Sequence, residues 1–124
     1  MNNPVGWFEI YVDDLVRAKA FYETVFQVQL SPLPTPAPGL QMLSFPMGQS
    51  EYGAPGAIVR MPGVAAGGNS TIVYFRCADC AVEEARAVQA GGRVDRSKMS
   101  IGPYGFIALV HDTEGNLIGL HSMQ

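Results

Sequence analysis

The chain has 124 residues, of which 48% are hydrophobic and only 15% are charged, and its formal net charge is −3. This length suits a single compact domain, and the apolar fraction is sufficient for a packed interior. Nucleic-acid binding depends on clusters of basic residues, whereas acidic residues here outnumber basic ones by 11 to 8. No apolar run approaches the roughly 18 residues that span a membrane. We therefore expect neither a nucleic-acid partner nor a membrane segment.

The first ten residues lack the basic region and apolar core of a secretion signal, so we predict a cytoplasmic protein with reduced cysteines. Cys77 and Cys80 form a C-x-x-C at a predicted helix start. A redox pair is one interpretation, since a helix dipole favours thiolate. The other is a strand cysteine facing the core and a second cysteine in the first helical turn. The missing thioredoxin-like context favours the second interpretation.

The first half of the chain begins with a strand, GWFEIYVDD (6–14), in which large side chains occupy both faces. A helix should follow, with Asp13 or Asp14 as N-cap and an apolar stripe ending near Phe26. The proline-rich stretch after it is predicted to be an extended loop, because proline interrupts both helices and strand ladders. This loop covers 31–39, and the two strand candidates of this half lie at 40–47 and 56–61.

The second half repeats this plan after a Gly- and Ala-rich linker, 63–70. Asp79 is the predicted N-cap of the second helix, and the glycines of "AGG" (90–92) supply its stop. The "DTEG" turn joins the last two strands. The strand candidates of this half lie at 71–77, 92–97, 104–112 and 116–123. The order β-α-β-β-β thus occurs twice, in modules 1–62 and 71–124 of one domain, 1–124.

The two halves also resemble each other in sequence. Residues 8–20 align with residues 73–85 at an offset of 65, which superposes Asp14 on Asp79. Each half has too little core to fold alone. We therefore expect the halves to pack side by side, bury their inner sheet faces against one another and form a curved cleft.

Four stretches of the sequence resemble the vicinal-oxygen-chelate superfamily, which groups glyoxalase I, bleomycin- and fosfomycin-resistance proteins and extradiol dioxygenases. The resemblance rests on a V-x-D…A-x-x-F-Y pattern and a D-x-x-G-N turn, within segments 8–26, 78–94, 102–116 and 117–122. It implies an α+β fold of two βαβββ modules that form a curved sheet or half-barrel around a cleft. These motifs are specific for the fold and not for a reaction.

The resemblance also implies where metal-using members of the superfamily place their four ligands. The first-strand positions are Trp7 and Ile72, and the last-strand position of the second module is Gly119. The remaining position falls within 57–61, where no residue is Glu, Asp or His. Divalent metals need several converging oxygen or nitrogen ligands. We therefore predict that the protein uses no metal and no other cofactor.

Strand parity places Trp7, Glu9 and Tyr11 on one face, which the resemblance directs into the cleft. Gly119 and His121 share a face of the last strand, and Arg60 is a further candidate whose register is uncertain. Glu9 and His121 are the predicted catalytic pair, while the predicted ligand-binding residues are Trp7, Tyr11, Arg60, Ile72 and Gly119.

Several roles for Glu9 remain open at this point. It can be a buried structural acid held by a partner, because an unpartnered buried carboxylate costs several kcal/mol. It can be a polar group of an aromatic ligand pocket, or it can orient His121 for acid–base catalysis. A displaced metal site would combine Glu9 and His121 with His111, although a lone histidine at a strand end is usually solvated.

We predict a homodimer, from the low charge content and the resemblance, that binds a small organic molecule in its cleft without a metal. One alternative is a lyase or isomerase of the same superfamily, either metal-free or with displaced ligands. Another is an accessory protein that acts by association and has no catalytic activity.

Overall fold

The computed structural model describes residues 3–35, 37–48 and 52–124. The first module consists of β1 (Phe8–Tyr11), α1 (Leu15–Phe26), β2 (Ser31–Leu33), β3 (Gln41–Ser44) and β4 (Gly56–Arg60). The second consists of β5 (Tyr74–Arg76), α2 (Cys80–Gln89), β6 (Arg93–Ser100), a 3₁₀ turn (Gly102–Tyr104), β7 (Phe106–His111) and β8 (Leu117–Ser122). The predicted α+β class and the repeated βαβββ order are confirmed. No helix in these ranges is long and apolar enough to cross a membrane.

Each module forms one mixed four-stranded sheet with the same topology. The strand orders are β1-β4-β3-β2 and β5-β8-β7-β6. The first strand of each module runs parallel to the last, and the other neighbours are antiparallel. β1 and β5 therefore lie at the edges of their sheets. Because the strands of the two sheets pair in the same way, a binding site has two equivalent positions, one on each sheet.

Both helices begin as predicted. Asp14 caps α1 by accepting a hydrogen bond from the backbone N–H of Arg17, and Asp79 caps α2 by accepting one from the N–H of Ala81. These carboxylates satisfy donors that the first helical turn leaves without partners. Gly91, with φ of 98°, supplies the predicted left-handed residue after α2.

Two of the predicted elements need correction. The proline-rich stretch was predicted to be a loop, but its first three residues form β2, where Pro32 pairs with Leu43. Pro32 is tolerated because β2 is an edge strand, where a missing N–H need not interrupt the ladder. The short strand predicted at 92–97 begins at Arg93 and extends to Ser100 as β6. Pro36 and 49–51, which belong to predicted loops, lie outside the described residues.

The core lies on the inner faces of the two sheets, where both helices pack. Tyr22 of α1 contacts Phe45 beside the first sheet and Phe75 in the second, with ring centroids 5.5 and 6.0 Å apart. Phe75 also contacts Phe8 and Phe45, with ring centroids 6.1 and 5.6 Å apart, so core-side residues of the two modules meet directly, as expected, beside α1. The face of each sheet that lies away from this core is its outer face.

The turn between β7 and β8 fastens the second module to the first. The Glu114 carboxylate accepts hydrogen bonds from the backbone N–H groups of Asp13 and Asp14, at 3.0 and 2.8 Å, and from Arg17 Nε at 2.6 Å. Burial opposes ionisation of Glu114, but these donors outweigh it and lower its pKa from 4.5 to about 2. The carboxylate therefore stays charged while it holds the start of α1.

A second buried contact of the same turn joins α1 to the second module. The Tyr22 hydroxyl donates to Asp112 Oδ2 at 2.6 Å, and both side chains are buried. Burial and the negative charge of Asp112 raise the pKa of Tyr22 well above its ordinary value. Asn116 Nδ2 donates to the Tyr11 carbonyl at 2.9 Å, so the turn also fixes the end of β1.

Candidate ligand-binding site

The outer face of the first sheet carries Glu9, which two nearby residues contact: Tyr11 of β1 and Trp7, just before β1. Trp7 Nε1 donates to one carboxylate oxygen at 3.2 Å, and the Tyr11 hydroxyl donates to the other at 2.9 Å. The hydrogen bond to Glu9, then burial and the nearby negative charge, raise the pKa of Tyr11. Glu9 is exposed, so it has local partners and water and is not the buried acid that one interpretation required.

The outer face of the second sheet carries a different set of side chains. β5 and β8 pair in register, with Tyr74 opposite Gly119 and Arg76 opposite His121. Their neighbours Phe75 and Leu120 belong to the core side. Because side chains alternate along a strand, Tyr74, Arg76 and His121 project together from the outer face.

The Tyr74 ring covers Gly119. A Cβ placed on Gly119 would lie 2.3 Å from the nearest ring atom of Tyr74, which is closer than real Cβ contacts allow. Gly119 is the position where metal-using relatives were expected to place a glutamate. An aromatic ring thus fills the space that a metal-binding side chain at this position would need.

Beside Tyr74 lies an open cavity of about 460 Å³. The Arg76 guanidinium stacks over the Tyr52 ring at 4.6 Å from its centroid, within the range of a cation–π contact. Tyr52 and Tyr74 are 75% and 47% exposed, so their rings are available to a ligand. The residues lining the cavity are Tyr52, Tyr74, Arg76, Ile101, Ile107 and His121.

The structure does not bring the predicted site residues together within one chain. His121 Nε2 contacts the Tyr104 carbonyl at 2.7 Å, while Glu9 bonds to residues of β1 on the other sheet. Arg60 lies two residues after Ile58, so both side chains project from the same face of β4, which is not the face of Glu9. Arg60 donates to the Asp13 carbonyl at 3.3 Å. Ile72 precedes β5 and is half-buried. A Glu9–His121 pair is therefore not formed inside the chain.

The strand registers identify the fourth ligand position that the sequence left uncertain. Glu9 pairs with Ala57 as Tyr74 pairs with Gly119, and the offset of 65 makes Glu9 and Tyr74 equivalent. The four positions are therefore Trp7, Ala57, Ile72 and Gly119, and none carries an oxygen or nitrogen ligand suited to a divalent metal. The metal of glyoxalase-type sites does not fit these residues.

A displaced metal site also has no support in the described ranges. No group of three or more His, Cys, Asp or Glu side chains converges there, so Glu9, His121 and His111 do not form one. His111 was expected to be solvated, but it is partly buried and its Nδ1 is buried without a described partner.

The cysteines are free thiols, and their setting does not favour redox chemistry. Burial, followed by the charge and hydrogen bonding of Glu83, raises the pKa of Cys77 to about 12. Cys80 is fully buried at the start of α2. A reactive thiolate needs a lowered pKa, so the alternative of one core-facing cysteine and one helical cysteine is the better interpretation.

The sequence analysis singled out His121 alone among the cavity residues and missed Tyr52, Tyr74, Arg76, Ile101 and Ile107, as well as Tyr104, which contacts His121. Tyr74 and Arg76 could have been found, because strand parity puts both on the same face as Ile72. Tyr52 and Tyr104 lie in a loop and a 3₁₀ turn, where no periodicity reports orientation. Their role follows from tertiary contacts alone.

Comparison with solved structures identifies the class to which this fold corresponds. TnmS3, an antibiotic binding protein from Streptomyces sp. CB03234, is 27% identical, with a TM-score of 0.67 and coverage of 98% of this chain and 96% of that one. A glyoxalase/bleomycin resistance protein/dioxygenase family enzyme from Burkholderia phytofirmans is 16% identical, with a TM-score of 0.68 and coverage of 96% and 98%. The predicted resemblance to the vicinal-oxygen-chelate superfamily is confirmed, and the chain has the fold of its glyoxalase and bleomycin-resistance members.

The match to glyoxalase I itself is partial. The E144Q mutant of glyoxalase I from Zea mays is 18% identical with a TM-score of 0.74, and the alignment covers 97% of this chain but 47% of the maize chain. This chain thus spans about half the length of that enzyme. No protein-family model and no curated protein matches the sequence.

Proposed function

We propose that this protein binds a small, largely aromatic organic molecule on the outer face of its second sheet, without a metal ion. The observation that carries the proposal is the Tyr74 ring lying over Gly119 beside a cavity of about 460 Å³. Ligand pockets of this size combine apolar and aromatic walls with a few polar groups that fix orientation. Here Tyr52, Ile107 and Tyr74 supply the walls, and Arg76 and His121 supply the polar groups.

The molecule is proposed to be a homodimer whose second copy closes this cavity. The first module exposes Trp7 and Glu9 on its outer face, and the second sheet exposes its aromatic cavity on its own outer face. A partner that lays its Glu9 face over the His121 face would shield both apolar surfaces. We further propose that the dimer is cytoplasmic, which agrees with two unpaired cysteines.

The named activity of one structural neighbour supports the choice of probes. TnmS3 is described as an antibiotic binding protein, and an analogous role here would need no catalytic group. A lyase or isomerase using Glu9 and His121 has less support, because those side chains bond to other partners within the chain. An accessory protein without a small-molecule ligand is the outcome if no compound binds.

The test is a thermal-shift screen, followed by calorimetry, against aromatic antibiotics, catechols, dicarbonyl–thiol adducts and divalent metals. Arg76→Met should weaken binding of the best compound by about tenfold or more, because it removes a charge-assisted donor. Arg60→Met is the matched control, since Arg60 also ends a strand but contacts Asp13 instead of the cavity. A tightly held stoichiometric metal, or equal losses in both variants, would overturn the proposal.

The single tryptophan reports whether a second copy closes the site. Trp7 lies just before β1 and does not line the cavity of its own chain. If a partner covers the cavity, a bound aromatic compound should quench Trp7 fluorescence, and sedimentation should give twice the mass of one chain. Binding by a monomer with unchanged Trp7 emission would contradict the dimer while leaving the cavity proposal in place.

A further inference from the structure

The orientation of His121 in the cavity determines which chemical group it offers to a ligand. Its Nε2 lies 2.7 Å from the backbone carbonyl oxygen of Tyr104. A carbonyl oxygen accepts hydrogen bonds and cannot donate them, so Nε2 must carry the proton. In a neutral imidazole the other nitrogen, Nδ1, is then an acceptor. No described residue donates to Nδ1.

The Tyr104 carbonyl is held in place by the 3₁₀ turn that contains it. Ile101 N–H donates to the Gly105 carbonyl at 2.8 Å, and Gly105 N–H donates to the Gly102 carbonyl at 3.2 Å. A Cβ on Gly105 would lie 2.4 Å from the Ser122 carbonyl oxygen, so the turn packs directly on the end of β8. The turn and the histidine therefore keep a fixed spacing, and Tyr104 acts as a positioning residue.

Arg76 lies next to His121 and donates hydrogen bonds, whereas His121 Nδ1 accepts them. It pairs in register with His121 across β5 and β8, and Cα atoms of neighbouring strands lie about 5 Å apart. Its guanidinium stacks on Tyr52, and none of the described carboxylates lies within salt-bridge distance of it. The planar cation is therefore available to an anionic or carbonyl group of a ligand.

We infer that the site selects a hydroxylated aromatic acid, whose ring lies on Tyr74, whose carboxylate binds Arg76 and whose hydroxyl donates to His121 Nδ1. This inference rests on the proposed function, which supplies the aromatic cavity, and adds the identity of the polar groups. Arg76 and His121 occupy paired positions on neighbouring strands and both line the cavity, so one small aromatic acid can reach both.

The tautomer can be measured without any ligand. The chain has two histidines, so a long-range proton–nitrogen NMR spectrum in mildly alkaline buffer, where imidazoles are neutral, resolves both, and His121→Gln identifies the signals of His121. The expected result is the Nε2–H form. The Nδ1–H form, or an even mixture of the two, would overturn the inference and leave the proposed function standing.

The role of the turn is tested with a matched pair of glycine variants. Gly102 and Gly63 have φ of 78° and 85°, and a Cβ at either position would contact nothing within 4 Å. Alanine therefore imposes the same backbone strain at both sites. Gly102→Ala should introduce some of the Nδ1–H form of His121, whereas Gly63→Ala should not. Equal spectra for both variants would remove Tyr104 from the positioning role.

The ligand class is tested with meta-hydroxybenzoate, meta-methoxybenzoate and benzoate, followed by ligand-observed NMR. The hydroxylated acid should bind about tenfold more tightly than the other two, because only it donates to Nδ1. His121→Phe should abolish this preference, and Arg76→Met should weaken all three. Equal affinities for the three acids would overturn the inference alone, while no binding of these or of the wider panel would overturn the proposed function with it.

Discussion

The two modules use the same device on opposite faces of their sheets. Phe8 lies opposite Gly56 in the first sheet and Tyr74 lies opposite Gly119 in the second, and each ring stands 2.3 Å from where a glycine Cβ would be. Phe8 points into the core, against Phe45 and Phe75. Tyr74 points outward and is 47% exposed.

A shift of one residue accounts for this difference. At the internal offset of 65, the counterpart of Tyr74 is Glu9 and the counterpart of Phe8 is Val73. Because adjacent side chains of a strand project to opposite faces, moving the aromatic residue by one position moves it from the core to the surface. The first module uses the ring for stability, and the second presents it beside a cavity.

Alanine substitutions at the two glycines test most directly whether the two rings differ in how tightly they are packed. Gly56→Ala should lower the free energy of unfolding by about 3 kcal/mol, because the Phe8 ring is held by two other aromatic rings and cannot move aside. Gly119→Ala should cost about 1 kcal/mol, since the exposed Tyr74 ring can swing towards solvent, but it should weaken ligand binding. Urea denaturation and calorimetry measure the two effects. Equal losses of stability would show that Tyr74 is as tightly packed as Phe8.

The contact between the modules should show the next largest effect. Glu114→Gln should lower the free energy of unfolding by about 2 kcal/mol at neutral pH, because it weakens several charge-assisted hydrogen bonds of a buried carboxylate. Because the folded pKa lies below the unfolded one, the stabilisation by Glu114 is complete above about pH 4.5 and is lost as the pH falls towards about 2. Chemical denaturation of both proteins across this range tests the prediction.

Two outcomes would bear on the role assigned to Glu114. The difference in stability between the native chain and Glu114→Gln should shrink steadily below about pH 4.5, so a constant difference would contradict the role of its charge. Asp79→Asn is a control at the start of the other helix, where the Asp79 carboxylate pairs with Lys98 and is 45% exposed. It should cause a smaller loss.

The helices differ in the size of the residue that faces the core. Tyr22 of α1 is matched at the offset of 65 by Ala87 of α2, and both are fully buried. Tyr22→Phe should cost about 1 kcal/mol, because Asp112 Oδ2 loses one hydrogen bond but keeps the bond from Asn116 Nδ2. Thermal unfolding of Tyr22→Phe, Glu114→Gln and the double variant would show whether the losses of stability from the two contacts are additive. No loss in Tyr22→Phe would falsify a stabilising role for this hydroxyl.

The smallest effect is expected at Cys77, which lies just before α2 and corresponds to Val12 just before α1. Cys77→Val should change the free energy of unfolding by about 0.5 kcal/mol or less, since valine is also accepted at the equivalent buried position. With a pKa of about 12, the Cys77 thiol of the native chain should react slowly with alkylating reagents at neutral pH. Rapid modification, compared with the unfolded chain, would restore the redox interpretation.

Much of the fold could be predicted because local signals agree with it. Asp14 and Asp79 are good N-caps, the apolar stripe of α1 ends at Phe26 as observed, and the DTEG turn forms between β7 and β8. The candidate site was harder to predict. Glu9 and His121 were placed in one cleft by strand parity, but parity gives only the face of a strand and not which faces meet.

The sequence by itself determined the repeated module, the paired helix caps and the lack of metal-ligand side chains at Trp7, Ile72 and Gly119, because these depend on residue type and local periodicity. Only the tertiary structure decided that Ala57 is the fourth such position, that Tyr74 covers Gly119 and that Tyr104 fixes the proton of His121. These features depend on strand register and on contacts between residues far apart in the chain, which no local pattern encodes.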